Sequence, residues 1–404
     1  MSLEFRAVKD TEDEKQQCLA LWCAVFGSAS YDYFARYFYG DTEWLPYYTQ
    51  VAVLDDKIVS SVSTVKRTVA CGDFRLTMGG VANVSTYEEH RGKGYNMKCL
   101  KRIVAVMEAD AFDFTTLGTG IPPYYAKIGY ELDKTTHLSG AIIENFTPRE
   151  TSYRIRSATP EERPEIQEIY RIYNEKRPIA VQRDESYWRG WVTKSAEAPL
   201  VALDSSDKIV AYAATAIGSF HGSSMDDDHG GISEFGTRLT DPQEKNLVAI
   251  SLIDSLMSLT LSNGNRQFHV DIARESEILS ALEGTLTDSK YSPEEGSMIR
   301  LLHRDNLLKS SLFELNERWA KAGKPGGLID FATPYGDVQL NANGSLLRVE
   351  SIELSEAPIS QADFFGLLFG IVEPEKLNFN PSSSNLLKSL FPAQAAVYYS
   401  ADGF

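Results

Sequence analysis

The stretch G-G-V-A-N-V-S-T-Y-E-E-H-R-G-K-G, residues 79–94, decides the fold of this chain. Its apolar part, Val81 to Ser85, predicts a strand, and a polar turn then leads into a helix predicted from about Tyr95 to Asp110. A strand that delivers glycines to a helix N-terminus favours a diphosphate site. The first N–H groups of a helix have no intrahelical partner, and the helix dipole favours negative charge. Side chains in place of Gly92 and Gly94 would hold the phosphates away from the backbone.

The letters of this turn, Arg91, Gly92, Lys93, Gly94, Tyr95 and Asn96, resemble a known signature. It is the R-x-x-G-x-G/A pattern of the GNAT acetyltransferases, whose loop holds the pyrophosphate of acetyl-CoA. Asn96 departs from the pattern, because the family prefers Gly or Ala there. The alternative is a structural strand-to-helix turn without a ligand, which the context disfavours. A Walker loop is excluded, since the chain contains no G-x-x-x-x-G-K-[ST].

Bulk properties narrow the class of function. A chain of 404 residues predicts two or three domains. The formal net charge of −16 argues against nucleic acid as a partner and is compatible with a cationic substrate. The four cysteines show no metal-binding or C-x-x-C spacing, which favours a reducing cytoplasm. We expect no membrane-spanning segment and no signal peptide, because the chain has no apolar run of sufficient length.

The order of elements over residues 1–150 is that expected of one GNAT domain. A helix capped by Thr11, with Glu14 completing a capping box, precedes a hairpin that turns at Asp55 and Asp56. After the long helix, Phe112 to Leu117 predicts a buried strand, and Pro122 to Gly129 a short helix. The aromatic segment at residues 31–40 either lines a substrate channel or packs a small helix against the sheet; packing is favoured.

Three landmarks of this domain recur in the same order at nearly one interval, which predicts a duplicated domain over residues 151–295. The matching pairs are F-R-A-V-K-D-T-E-D-E with Y-R-I-R-S-A-T-P-E-E, V-A-V-L-D-D-K-I-V with V-A-L-D-S-S-D-K-I-V, and G-G-V-A-N-V-S with G-G-I-S-E-F-G. Thr159 and Glu162 form the second copy's capping box. The copy has no glycine between Gly236 and Gly264. We therefore expect a second GNAT fold without a cofactor site.

One loop of the second copy collects metal-ligand residue types. It contains His221, Asp226, Asp227, Asp228 and His229. The spacing fits no standard metal site, and the surroundings are typical of a solvated loop. We expect no metal.

Residues 296–404 differ in character from the two copies. They predict a helix from Leu312 to Ala322, a hairpin that turns at Asn343 and Gly344, and an apolar helix capped by Ser360. A final strand is predicted over A-A-V-Y-Y-S, residues 395–400. The segment resembles a sterol-carrier-protein-like domain.

Taken together, the chain resembles the enhanced-intracellular-survival family of bacterial N-acetyltransferases over its whole length. The motifs that carry the resemblance are R-G-K-G-Y-N, P-Y-Y-A-K-I-G-Y and the closing Phe404. The resemblance implies an α/β (α+β) chain of two GNAT folds and a sterol-carrier-like domain. It also implies acetyl-CoA as cosubstrate, amines including aminoglycosides as acceptors, and a homohexamer.

The resemblance and the chemistry of acetyl transfer together predict the cofactor residues. Backbone groups of the strand are expected to align the acetyl-pantetheine, with an N–H facing the thioester oxygen. The glycine loop is expected to hold the pyrophosphate, and the neighbouring strand end to contact the cofactor from the other side. The residues are Val84, Ser85 and Thr86 on the strand, Arg91, Gly92, Lys93, Gly94, Tyr95, Asn96 and Met97 in the loop, and Gly120 and Ile121.

The resemblance also assigns the proton-transfer groups. Its general acid corresponds to Tyr125, with the neighbouring Tyr124 as a rival. Its general base is the C-terminal carboxylate, here that of Phe404. An ordinary α-carboxyl has a pKa near 3.5 and is a poor base, so burial must raise this pKa. Two other functions stay open at this point: acetylation of a protein lysine or N-terminus, and a non-enzymatic lipid-binding module.

Overall fold

The structure is a computed structural model. It describes residues 2–27, 31–192, 198–215, 230–294, 296–333, 336–354, 359–377, 379, 383–399 and 402–404.

The first copy forms a mixed sheet with helices on both faces. Its elements are β1 (Leu3–Ala7), α1 (Glu12–Phe26), α2 (Tyr31–Tyr39), β2 (Thr49–Leu54), β3 (Lys57–Cys71), β4 (Phe74–Thr86), α3 (Tyr95–Ala109), β5 (Phe114–Gly118), α4 (Pro122–Ala126), β6 (Glu131–Leu132) and β7 (Thr136–Ile142). Helix α3 buries Cys99, Leu100, Ile103, Val104 and Met107 in one core. Helices α1 and α2 pack into a second core around Trp22.

Several local predictions are confirmed. Helix α3 runs over nearly the predicted span, and the hairpin turns at Asp55 and Asp56, both with positive φ. The aromatic segment packs, as favoured, with the ring of Phe38 stacked on Trp22 at 5.0 Å. Thr11 caps α1 as predicted, but the second hydrogen bond of the predicted capping box does not form. The Glu14 carboxylate accepts the N–H of Lys9 instead of that of the cap residue.

The second copy repeats the first. It contains β8 (Arg154–Ser157), α5 (Arg163–Asn174), α6 (Glu185–Gly190), β9 (Leu200–Leu203), β10 (Ile209–Ala214), β11 (Gly230–Ile232), β12 (Glu234–Thr237), α7 (Pro242–Ser262), β13 (Gln267–Val270), α8 (Ser276–Leu282) and β14 (Leu286–Pro293). The predicted capping box of Thr159 and Glu162 forms. Strands β11 and β13 pair in parallel, as β4 and β5 do in the first copy. The duplication is therefore structural as well as sequential.

The two copies exchange one strand each. Strand β7 leaves the first copy and pairs with β13 and β14 of the second. Strand β15 (Ser297–Leu301), which follows the second copy, pairs with β5 and β6 of the first. The predicted boundaries at residues 150 and 295 divide the chain in sequence order. In space, however, each of these two strands lies in a sheet of the other copy. The exchange ties the two copies together through backbone hydrogen bonds.

The last segment contains α9 (Arg304–Lys321), β16 (Leu328–Thr333), β17 (Gly336–Asn341), β18 (Arg348–Ile352), α10 (Gln361–Leu368) and α11 (Ser384–Leu390). The predicted hairpin forms from β17 and β18, and Ser360 caps α10. The predicted last strand is wrong, because residues 395–399 form no strand. The N–H of Val397 donates to Pro178 instead, and the carbonyl of Ala395 accepts from Arg177.

Two further expectations concern metals and membranes. The loop with His221, Asp226, Asp227, Asp228 and His229 lies outside the described residues. Within the described residues, three carboxylates at Asp73, Glu314 and Glu317 lie close together, and each also pairs with a lysine or arginine. No helix in the described part of the chain has the length and apolar character needed to span a bilayer.

Candidate active site

The candidate site begins where β4 and β5 separate. The two strands pair in parallel only from Met78 to Gly80 on β4, opposite Phe114 to Thr116 on β5. Beyond Gly80, β4 continues six residues to Thr86 alongside β3 alone. In the described part of the chain, the other edge of β4 has no strand partner over these residues, and we call the gap between the diverging strands β4 and β5 the cleft. Val84 and Thr86 are half-buried on this stretch, and Ser85 is buried.

A bulge in β4 lies at the opening of this cleft. Residues Ser61 and Ser63 of β3 pair with Ser85 and Ala82, so β4 carries an extra residue between these pairs. Asn83 takes up the irregularity with φ +53, a conformation that asparagine adopts more readily than most residues. Its side-chain amide is buried, and neither polar atom has a hydrogen-bond partner among the residues that the structure describes. The sequence analysis did not single out Asn83, although an asparagine within an apolar strand was a usable signal.

The glycine loop has the conformation that the sequence predicts. Gly92 and Gly94 have φ of +74 and +75, and a Cβ at either position would meet no protein atom within 4 Å. The backbone conformation alone is therefore a reason for glycine at both positions. Gly94 is the N-cap of α3, and no side chain caps the helix. Arg91 and Lys93 are exposed beside it. Free amides, a helix dipole and two cations together suit a diphosphate.

Asn96, the departure from the family pattern, connects three parts of the site. Its Nδ2 donates to the carbonyl oxygens of Ser85 at 3.2 Å and Ser61 at 3.3 Å. Its Oδ1 accepts from the Tyr124 hydroxyl at 3.4 Å. The side chain thus joins the N-terminus of α3 to the end of β4 and to α4. This brings the predicted loop, strand and tyrosine residues to one side of the cleft.

The two candidate acids differ in environment. Tyr125 is buried, and burial raises its pKa to about 12, with the neighbouring Tyr124 adding to the shift and a hydrogen bond with Thr119 opposing it. Tyr124 is half-buried, and its hydroxyl is engaged with Asn96. Gly120 and Ile121 are exposed in the loop between β5 and α4, where the Ile121 N–H donates to Thr119.

The C-terminus is anchored inside the protein and reaches the cleft. Arg183 pairs with the carboxylates of Asp402 and Glu234, and the side chains of Arg183 and Asp402 are fully buried. The carbonyl of Gly403 accepts from Arg36 at 3.0 Å. The ring of Phe404 then packs on Gly80, the residue at which β4 and β5 part. The last residue is consequently held at the opening of the cleft.

An acidic cavity of about 370 Å³ adjoins Phe404. Asp133, Asp271 and Glu294 line it, with Arg274 as its cation. The side chains of Asp271 and Glu294 are exposed to solvent. Desolvation by the surrounding protein and, to a smaller extent, the charge of Glu294 together raise the pKa of Asp271 to about 7. Burial also raises the pKa of Glu294. The sequence analysis missed these carboxylates, since they come from the second copy and from segments distant in the chain.

Comparisons with known proteins give a family for the first domain and a fold for the whole chain. Residues 4–132 match the family model of the acetyltransferase (GNAT) domain. The chain is similar to a probable N-acyltransferase from Enterococcus faecalis V583 at 15% identity and a TM-score of 0.69, covering 100% of both chains. It is similar to a GCN5-related N-acetyltransferase from Anabaena variabilis ATCC 29413 at 13% identity and 0.69, again over 100% of both. No curated protein sequence matches the chain.

The chain thus contains a GNAT acetyltransferase domain, the domain of a class of enzymes that use an acyl-CoA as donor. Over its whole length, furthermore, its fold is similar to that of Eis1 from Mycobacterium abscessus, with a TM-score of 0.61 at 10% identity over 99% of this chain and 100% of the other. The resemblance to the enhanced-intracellular-survival family, drawn from the motifs, is confirmed at the level of fold.

Proposed function

We propose that this enzyme transfers an acetyl group from acetyl-CoA to an amine of a small, cationic acceptor. The observation that carries the proposal is the position of Phe404. It lies at the opening of the β4–β5 cleft and also lines a cavity that holds three carboxylates. A polyamine or an aminoglycoside has the positive charge that such a cavity attracts.

In the proposed reaction the backbone of Val84 to Thr86 aligns the pantetheine arm, and an N–H polarises the thioester oxygen. The amine nitrogen attacks the thioester carbon, the C–S bond breaks, and the amide forms. The Phe404 carboxylate accepts the proton that the amine loses. Tyr125 donates its proton to the departing thiolate.

The high pKa of Tyr125 keeps the hydroxyl protonated at neutral pH, which a general acid requires. The pKa of about 12 for this hydroxyl exceeds the ordinary thiol pKa near 8.5. Proton transfer from Tyr125 to a solvated thiolate would therefore be unfavourable in free energy. A thiolate formed in the same desolvated cleft is also more basic than in water, which narrows the difference. Proton transfer concerted with C–S cleavage therefore fits this pair better than transfer after it.

The remaining parts of the proposal rest on the resemblance. They are the homohexamer, action in the cytoplasm, and a sterol-carrier-like role for the last segment as the support of the C-terminus. The buried pair of Arg183 and Asp402 supports that last point, because it fixes the terminal residues to the second copy. We propose no metal in the reaction.

The test is release of free CoA thiol from acetyl-CoA with a panel of polyamines, aminoglycosides, and lysine-containing and N-terminal peptides. We expect turnover with the small polycations and little with the peptides. Turnover with peptides alone would replace the acceptor by a protein. The absence of both turnover and acetyl-CoA binding by the folded protein would refute the proposal.

A further inference from the structure

A cavity of about 1310 Å³, larger than that next to Phe404, lies between the second copy and the last segment. On the side of the second copy, the end of β12 with the residues after it, Thr237 to Thr240, and the residues after β13, Ala273 to Glu275, line it. These strands separate as β4 and β5 do, since β11 pairs with β13 and β12 turns to β10. The cavity therefore occupies the place in the second copy that the acyl-CoA cleft occupies in the first.

Three residues that line it each have a buried hydrogen-bond donor without an acceptor among the described residues. The donors are Nε of Arg238, Nε of Arg274 and Nε2 of Gln394. The amide oxygen of Gln394 accepts from Arg318 at 3.0 Å, which fixes the amide and leaves its NH₂ group for another partner. Buried polar groups without a partner are rare in folded proteins. Three donors on one cavity indicate that an acceptor-bearing ligand belongs there.

The charge of the wall indicates the same chemistry. Six cationic and four acidic side chains line the cavity, although the whole chain carries −16. Three cations are matched: Arg177 with Glu275, Lys134 with Asp363, and Lys376 with Glu373. Arg238 reaches only Glu165, at 3.8 Å. Among the described residues, Lys245 and Arg274 have no ion-pair partner, so an excess of positive charge faces the cavity.

The backbone of this copy does not offer a diphosphate cradle. The carboxylate of Asp241 accepts the N–H groups of Gln243 and Glu244 and so fills the N-terminus of α7. The corresponding helix of the first copy, α3, has a glycine cap and no side-chain acceptor. A ligand of the second cavity must therefore be held by side chains.

We propose that this cavity binds a small organic anion that presents carboxylate or phosphoryl oxygens to Arg238, Arg274 and Gln394. Apolar side chains, Ile172, Leu239 and Ile371, complete the wall and suit the carbon skeleton of such a molecule. The site shares Arg274 and Ile371 with the acidic cavity next to Phe404, and binding to it needs no turnover.

Calorimetric titration with citrate, glucose 6-phosphate and octanoate tests the site. We expect saturable binding of at least one probe, weakened at least tenfold in Arg274→Gln and in Arg238→Gln. The matched control Lys321→Gln, at an exposed position of α9, keeps the wild-type affinity. Lys93→Glu, in the glycine loop of the first copy, also keeps it. Absence of saturable heat with all three probes, or equal affinity in Arg274→Gln, would overturn the proposal.

A labelling experiment gives a second readout that needs no variant. An amine-reactive acetylating reagent should modify Lys245 less when the bound probe is present, while Lys321 is modified equally with and without it. The opposing outcome is that Lys245 resists acetylation without any probe and reacts only after dilution of the protein to a monomer. This outcome would show that a second copy of the chain covers the cavity. That result would also overturn the proposal.

Discussion

The ring of Phe404 lies so close to Gly80 that a Cβ atom on residue 80 would come within 2.3 Å of the ring carbon Cε1. Gly80 is paired with Thr116 at the last position where β4 and β5 are joined. Glycine is thus needed at residue 80 for the approach of the C-terminus, and the approach places the terminal residue at the cleft. This contact connects the first and the last segments of the chain.

Replacing Gly80 by alanine should therefore displace Phe404. We expect Gly80→Ala to lower kcat/KM at least tenfold, because the terminal carboxylate moves with the ring. Overpacking at a buried contact costs about 1–3 kcal/mol of stability, so the protein should stay folded. Steady-state kinetics and thermal denaturation measure the two effects.

The matched control is Gly344→Ala, in the hairpin of the last segment, where a Cβ would lie 3.6 Å from the carbonyl oxygen of Leu346, an ordinary contact distance. It should leave kcat/KM unchanged. An unchanged kcat/KM in Gly80→Ala would mean that the position of the last residue does not limit the reaction.

Extending the chain tests the terminal carboxylate more directly. Two alanines added after Phe404 move the carboxylate away, while Arg183 and Asp402 still anchor the segment. We expect kcat to fall about 100-fold or more, within the range of a lost general base, with little change in melting temperature. The control carries two alanines before Met1 and should be fully active. An active C-terminal extension would remove Phe404 from the mechanism.

The local elements of this chain were predictable because their signals are local. Positive φ at Asp55 and Asp56, the glycine cap of α3 and the cap at Thr11 each depend on a few neighbouring residues. The C-terminal strand was not predictable in this way. Its apolar residues are typical of a strand. However, its backbone forms hydrogen bonds with the carbonyl of Pro178 and the side chain of Arg177.

The strand exchange and the acidic cavity lie beyond what local patterns can indicate. Strands β7 and β15 have ordinary strand sequences, and nothing in them states which sheet they join. Asp271 and Glu294 line the same cavity as Phe404, in a region where the two strands are exchanged between the copies. The cofactor side of the candidate site was thus predictable, because a single sequence motif forms it. The acceptor side was not, because its residues come from three segments that are distant in the sequence.

The proposed general acid can be tested with two single-atom changes. Tyr125→Phe should lower kcat about 100-fold, a typical loss for a missing proton donor, with the KM for acetyl-CoA changed less than threefold. Tyr124→Phe, the matched control, removes only the hydrogen bond to Asn96 and should keep kcat within threefold of wild type. The reverse pattern would assign the acid role to Tyr124.

The acidic cavity should make acceptor binding depend on pH. The pKa of Asp271 is about 7, so the carboxyl is mostly neutral at pH 6 and mostly charged at pH 8. The KM for a polyamine that stays charged over this range should fall as the pH rises. Asp271→Asn should flatten the profile, while Asp288→Asn, an exposed position of β14, should not.

Protein stability should show the opposite trend for the same residue. A carboxyl whose pKa is raised on folding binds more protons in the folded state, between its ordinary pKa near 4 and its folded pKa near 7. Stability therefore falls as the pH rises through that window, and Asp271→Asn should remove part of the loss. Identical pH profiles of KM and stability in wild type and Asp271→Asn would show that Asp271 does not titrate there.

Two variants in and beside the glycine loop should distinguish cofactor binding by backbone amides from structural support by a side chain. Asn96→Ala removes the bonds to Ser85, Ser61 and Tyr124, and we expect a loss of about 1 kcal/mol of stability. Acetyl-CoA affinity should change less than threefold, because backbone amides hold the diphosphate. Gly94→Val forces a β-branched residue to φ +75 at the helix cap and should weaken binding at least tenfold. Calorimetry with acetyl-CoA and thermal denaturation distinguish the two variants. A tenfold loss of affinity in Asn96→Ala at unchanged stability would show instead that the Asn96 amide itself contacts the cofactor.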